Sequence, residues 1–355
     1  MKTDPIELIF LSVFTLITFF IFLITNKYSH KIYNGILVDK DFLKPQAFHK
    51  DAVPRSGGIA SFISLLIFFY IYYLLFTEIL YEYIFIGTSL FLIGCLDDIK
   101  KKISPNTRLL LMIIFLSSFI FYFSIEINNI DLIFINSWLE NKYFSSLFTL
   151  LCFLFIINGA NLIDGFNGLL SINLIVINSI LLFVNLNYSQ IEFSLFLIAQ
   201  IIILFSFLLF NFPRAKIFLG DGGSYLFGSI IALNVIFTNN LNPNISSFFF
   251  CILLFYLFFE VFFSFIRKIY QKKSPVMPDN MHLHMLSYKK ISSIFKLENS
   301  NYINSIIINI FFIIFIAPSI YFLENSLFCK YWFFLLLTAY LFFYFYLKKS
   351  LKDQV

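Results

Sequence analysis

Apolar runs of the length needed to cross a bilayer recur from one end of this chain to the other, and no soluble fold can hide them all. A spanning helix needs about 20 mainly apolar residues. Eleven stretches meet or approach that length: 6–25, 59–76, 80–96, 108–125, 147–163, 169–186, 191–210, 224–238, 247–266, 302–321 and 329–347. The composition points the same way, with 60% hydrophobic and 13% charged residues, where a soluble domain carries about 25% charged. The 53 Phe and 20 Tyr among 355 residues exceed what one aqueous core can enclose, because cores stop growing near ~300 residues. A formal charge of +5 without a concentrated basic domain argues against nucleic-acid binding. Cys95, Cys152, Cys251 and Cys329 are far apart with no C-x-x-C, so they read as small hydrophobes. The first stretch lacks a small-residue cleavage site after it and reads as a retained helix.

Basic residues sort by side when the eleven stretches are taken as spans. Alternate loops hold 22 of the 25 Lys and Arg, and the other side keeps only Lys2, Lys142 and Lys330. By the positive-inside rule, the chain is expected to be an all-α polytopic membrane protein of about eleven helices. Its N-terminus is expected outside and its C-terminus in the cytoplasm. No tandem repeat or linker divides it, so residues 1–355 read as one integral membrane domain. Between 126 and 146, weak alternation around Ile127, Ile130, Leu132 and Phe134, with Trp138 at the interface, suggests a small external hairpin.

Polar residues gather on the expected cytoplasmic side, which takes all four His (30, 49, 282, 284) and nine of eleven Asp. Asp97 and Asp98 end the third stretch and precede Lys100, Lys101, Lys102, Pro105 and Arg108. Adjacent carboxylates repel unless cations or a metal offset the cost, so the pair is either a phosphate or proton-abstraction site or a solvated helix end. Asn158, Asn161 and Asp164 recur every three residues in NGANLIDGFNGLL, which puts them along neighbouring positions of one helix face. They either line a cavity or tie helices together. In FPRAKIFLGDGGSYLFG, Arg214 and Lys216 precede Asp221 and a glycine turn into a helix, a natural anion site. Asp221 can offer a hard oxygen to a divalent ion, or simply cap the helix. His282 and His284 stand two apart after Asp279, sharing a face if the stretch is extended. They suit phosphate, a base or a metal, or are solvated loop residues. VPRSGG, with Arg55, alone reads as a basic interfacial turn. Glu260, inside the ninth stretch, reads as structural, pairing locally with Arg267 or Lys268 by snorkelling. Convergence of five such segments on one membrane face describes phosphoryl transfer at the cytoplasmic surface.

At these residues the sequence resembles the polyprenyl-phosphate N-acetylhexosamine-1-phosphate transferases, the MraY/WecA-like glycosyltransferase family 4. Five segments match in family order, between about residues 35 and 290: VPRSGGIA, LDDIKKKISPNTRLL, NGANLIDGFNGLL, FPRAKIFLGDGGSYLFG and PDNMHLHM. The resemblance implies transfer of a sugar 1-phosphate from a UDP-sugar to polyprenyl (undecaprenyl) phosphate, with release of UMP. It also implies magnesium, with manganese a possible substitute. The setting would be the bacterial cytoplasmic membrane, with lipid around the protein, no nucleic acid and a homodimer possible. Carried over by position, Asp97, Asp98 and Asp164 are implied as catalytic and Asp221 as the metal ligand. Asn158, Asn161, Asn167, Lys216, His282, His284 and Arg55 are implied as substrate-binding. Two departures stand out: Asn167 replaces the second Asp of D-G-x-D-G, and Met285 replaces a further His after H-x-H. A secondary transporter is the rival reading, but it would place its polar site near the midplane and often shows inverted repeats.

Overall fold

The computed structural model describes residues 5–29, 31, 37–39, 52–99, 103–188, 191–275, 277, 279–295 and 301–352. Its elements begin with α1 (Pro5–Tyr28), β1 (Val38–Asp39), β2 (Val53–Pro54), α2 (Gly57–Phe76), α3 (Tyr81–Asp98) and α4 (Pro105–Phe123). Next come α5 (Ile133–Leu139), α6 (Lys142–Ile163), α7 (Leu169–Asn187), α8 (Ile191–Asn211) and α9 (Gly220–Leu241). The chain ends with α10 (Ser247–Leu253), α11 (Phe255–Tyr270), α12 (Leu283–Phe295), α13 (Asn301–Tyr321) and α14 (Ser326–Lys352). Lys100–Lys102, His30 and His49 lie outside the described residues.

All eleven apolar stretches fall on helices. Among the described residues nine helices are each long and apolar enough to cross a membrane, and α10 with α11 forms a tenth, broken span. α3 has 18 residues but holds three carboxylates, Glu82, Asp97 and Asp98, and is not one of these spans. The protein is an all-α polytopic membrane protein.

Three local expectations are corrected. The stretch 247–266 is not one straight helix, because its two halves meet at 77°. Glu260, Ser264, Arg267 and Lys268 recur along α11 at helical spacing and are buried, while Phe262, Phe265, Ile266 and Ile269 on the other face are exposed. Such a helix turns its polar stripe inward and its apolar stripe to lipid, which a summed hydropathy conceals. The segment 126–146 forms α5 and no hairpin. The Asn136 side chain accepts from the Ile130 amide at 2.9 Å and donates to Asn129, so a backbone N–H that a hairpin would pair is held by a side chain. Finally, the stretch after His282 is helical: the Met285 and Leu286 amides donate to the His282 carbonyl, opening α12.

α9 is buried on all sides and packs on α2, α3, α6 and α7. Lipid-facing helices gain little from apolar burial, so close backbone approach and interhelical hydrogen bonds carry the association. Glycine supplies the approach. A Cβ at Gly94 of α3 would lie 2.3 Å from the Asp221 carbonyl oxygen, and one at Gly159 of α6 would lie 2.1 Å from the Leu257 carbonyl of α11. Amides supply the bonds, as Asn234 of α9 donates to Gln200 of α8 at 2.9 Å and to Asn178 of α7 at 3.2 Å. Asn234→Ala is therefore expected to lower stability by about 0.6–1.7 kcal/mol, read as an earlier midpoint for denaturant unfolding in micelles. An unchanged midpoint would show that these amides do not tie the three helices.

Candidate active site

Three helix ends meet at one end of the bundle: the C-termini of α3 and α6 and the N-terminus of α9. The segment before α2 completes the junction. Phe218 donates its amide to the Pro54 carbonyl, while the Gly57 and Gly58 amides donate to the carbonyls of Phe218 and Leu219. The VPRSGG and IFLG segments are thus laid side by side. β2 pairs antiparallel with β1, Asp39 opposite Val53, so Arg55 meets Asp39 at 2.6 Å.

The first amides of a helix have no partners within it and carry partial positive charge. Here the Asp98 carboxylate supplies the missing acceptor, with Asp221 N–H at 3.1 Å and Gly222 N–H at 2.8 Å. Gly220 makes the fit possible. Its φ is +77°, and a Cβ there would stand 2.6 Å from an Asp98 carboxylate oxygen. Arg55 adds a 3.4 Å contact to Asp98. Asp98 is consequently saturated, with only 5% of its side chain exposed, whereas Asp97 and Asp221 retain 24% and 19%. Those two carboxylates are the accessible ones.

Arg108, near the start of α4, joins them. Its Nη1 donates to Asp97 at 2.9 Å and to Asp221 at 2.6 Å. The Asn161 amide nitrogen donates to the other Asp221 oxygen at 2.9 Å and to the Ser224 hydroxyl at 3.0 Å. Burial alone would depress the Arg55 guanidinium's pKa, but Asp221, Asp98 and Asp39 more than offset this and raise it. The Asp164 carboxyl, at the end of α6, is pushed well above the ordinary range, by desolvation first and then by Asp221 and Asp98.

A locus where two carboxylate oxygens from different helices share one cationic nitrogen fits a divalent cation by its hard-oxygen chemistry. Among the described residues no three His, Cys, Asp or Glu side chains form a ligand group. Asp221, with Asp97 beside it, would offer hard oxygens to a magnesium ion there.

Not every sequence-predicted residue joins this cluster. Asn158 donates back to the Leu154 carbonyl of its own helix. Asn167 bonds the Pro213 carbonyl at 2.9 Å, holding the loop after α6 to the loop before α9. Lys216 is exposed and makes no ion pair among the described residues. Asp97, Asp98, Asn161, Asp221 and Arg55 are brought together, with Asp164 beside them.

His282 and His284 form a second, buried cluster. The His282 Nδ1 faces Glu260 at 3.0 Å and its Nε2 faces Asp279 at 3.1 Å. Arg267 pairs with Asp279 at 2.7 Å. Glu260 therefore does not pair with Arg267 or Lys268, since Lys268 donates to the Pro275 and Met277 carbonyls. The bend before α11 is what turns Glu260 toward the histidine loop. The two imidazoles lie parallel at 5.5 Å, and Phe166, two residues after Asp164, packs edge-on against His284 at 5.5 Å. Phe166 thus joins the two clusters.

Sequence reasoning named Arg108 only as a cation following Asp97 and Asp98, and it missed Asp39, the part Ser224 plays and the Glu260 contacts. The signal for Glu260 was present, as an acid deep in a lipid-length stretch needs a partner. Nothing in local spacing marked Arg108 as the bridge.

Paired carboxylates, guanidinium groups and a helix N-terminus at the end of a membrane bundle define a protein class that handles anionic phosphate groups beside a bilayer. Comparison with known proteins narrows the class. Residues 80–239 match glycosyl transferase family 4. The chain is 30% identical to an undecaprenyl-phosphate alpha-N-acetylglucosaminyl 1-phosphate transferase of Thermotoga maritima, over 68% of this chain and 70% of that protein. It is 27% identical to a probable undecaprenyl-phosphate N-acetylglucosaminyl 1-phosphate transferase of Bacillus subtilis, over 66% of each. Similarity to a phospho-N-acetylmuramoyl-pentapeptide-transferase of Clostridium perfringens is 28%, over 43% of this chain and half of that protein. The chain belongs to glycosyl transferase family 4.

Proposed function

We propose that this protein transfers a HexNAc 1-phosphate from a UDP-sugar to undecaprenyl phosphate, releasing UMP, at the cytoplasmic face of a bacterial inner membrane. The observation that carries the reading is the junction of α3, α6 and α9, where Asp97 and Asp221 share the Arg108 nitrogen. The names of the Thermotoga and Bacillus relatives support the lipid acceptor and the sugar. The whole chain acts as one transferase unit, since Tyr340 of α14 bonds Glu260 of α11.

Both substrates are anionic, so their approach requires cations. Arg55 and Arg108 supply fixed positive charge at the junction, and Asp98 keeps the α9 N-terminus aimed at it. A lipid phosphate oxygen forms a bond to the sugar-linked phosphorus, and the bond from that phosphorus to the bridging oxygen of UMP breaks. Asp97, more exposed than Asp98, is placed to take any proton left on the attacking phosphate. Asn161 orients Asp221. Asp221 would hold magnesium, which would neutralise charge on the diphosphate when bound.

Charged groups gather at one end of the bundle, whereas a transporter needs them near the midplane. In membranes given Mg²⁺, undecaprenyl phosphate and a panel of UDP-HexNAc donors, UMP and lipid-linked sugar are expected to appear together and to vanish with EDTA. Donor uptake into sealed vesicles without UMP would overturn the reading.

A further inference from the structure

The sequence pairs His282 and His284 as equals, but the structure gives them different work. Both ring nitrogens of His282 face carboxylate oxygens, Glu260 at 3.0 Å and Asp279 at 3.1 Å. A neutral imidazole has one donor and one acceptor nitrogen, so it would leave one of these contacts unbonded; only the doubly protonated ring satisfies both. Glu260 is itself saturated. One oxygen also accepts the Leu283 amide at 3.1 Å, and the other accepts the Tyr340 hydroxyl at 2.6 Å. Arg267 braces Asp279 through two nitrogens, at 2.7 and 3.2 Å. His282 is 1% exposed, so with both nitrogens committed it has none left for a ligand.

His284 differs. Its Nδ1 meets the Tyr256 hydroxyl at 3.2 Å, and its Nε2 is buried with no hydrogen-bond partner. Burial and the adjacent cationic ring push its pKa down to about 3, against the pull of Glu260, so it stays neutral. It lies parallel on His282 and edge-on to Phe166, in the loop that carries Asp164. Asn304 of α13 holds its carbonyl at 2.8 Å. Charged and titratable groups around the pair come from two helices and one loop: Glu260, Arg267 and Tyr256 on α11, Asp279 in the loop, and Tyr340 on α14.

We infer that Glu260 and Tyr340 are positioning residues: they hold His282 as a doubly donating imidazolium, and His282 fixes His284, whose Nε2 is the imidazole nitrogen left for substrate. The last part rests on the transferase reading. Tyr340 lies on α14, so the C-terminal helix reaches the histidine cluster through its hydroxyl. A residue that acts by holding another affects the transition state more than ground-state binding, so turnover falls while KM changes little.

Two measurements on the full-length protein in nanodiscs decide the matter. The first is nitrogen NMR of histidine-labelled protein above neutral pH, with the His282 signal assigned by its loss in His282→Gln. Both His282 nitrogens are expected to be protonated in the wild type, and the ring to become neutral in Glu260→Gln. A neutral His282 in the wild type would overturn the inference. The second is turnover with Mg²⁺, undecaprenyl phosphate and UDP-N-acetylglucosamine. Tyr340→Phe keeps the ring and removes only the hydroxyl, and so guards against a Glu260 variant that fails to fold. Tyr340→Phe and Glu260→Gln are expected to lower kcat by about tenfold or more with donor KM nearly unchanged, and His284→Ala is expected to lower kcat at least as far. Wild-type kinetics in Tyr340→Phe and Glu260→Gln, with a raised donor KM in His282→Gln, would show that His282 meets substrate itself. A wild type that releases no UMP would count against the transferase reading, and the NMR result would still stand or fall alone.

Discussion

Asp221→Ala is expected to reduce UMP release by at least about 10²- to 10³-fold, the loss typical when one charge-stabilising group is removed from an active site. Its two carboxylate oxygens do different jobs, one accepting from Asn161 at 2.9 Å and the other from Arg108 at 2.6 Å. Without them Arg108 leans on Asp97 alone, and any divalent ion loses the acid at the start of α9. The fold should persist, because the Asp221 and Gly222 amides remain bonded to Asp98. Measured as turnover beside a melting curve, the variant should be inactive and near wild type in stability. Activity within tenfold of wild type would remove Asp221 from the chemistry.

Gly94→Ala should fail differently, losing both activity and fold. The added methyl would stand 2.3 Å from the Asp221 carbonyl oxygen and 2.5 Å from the Gly222 nitrogen. Both are backbone atoms of a helix buried on all sides, so neither can step aside. Separating α3 from α9 pulls Asp98 from the amides it holds, and overpacking of this kind costs about 1–3 kcal/mol or more. Gly87→Ala is the matched control on the same seam. Its Cβ would meet the end of the Leu226 side chain at 3.2 Å, which can rotate away. Turnover and unfolding midpoints of the two variants should therefore diverge, with Gly87→Ala close to wild type. Equal behaviour would show that the backbone crossing does not set the site.

Much of this was readable beforehand because a bilayer imposes a length on every span. Each apolar stretch lies on helix, 247–266 on two of them, and the short 224–238 lies inside α9. Asp97, Asp98, Asn161 and Asp221 were legible because acids and amides beside lipid must find partners. The misses share a cause. Asn158 and Asn161 have equal claims by spacing, yet one bonds its own helix and the other reaches Asp221, a difference of facing direction. Glu260 looked local because Arg267 and Lys268 are near in sequence, yet its partners are 22 and 80 residues away.

The sequence by itself determined the solvent, where the apolar helices lie and the end of the bundle where charge collects, since each follows from the cost of polar groups in hydrocarbon. It could not rank the carboxylates. Asp97 and Asp98 are adjacent and chemically alike, and only the glycine-mediated crossing of α3 and α9 buries one as the anchor of a helix and leaves the other open to share Arg108 with Asp221. Which acid is structural depends on which amides lie within 3 Å, and that distance is a property of tertiary packing alone.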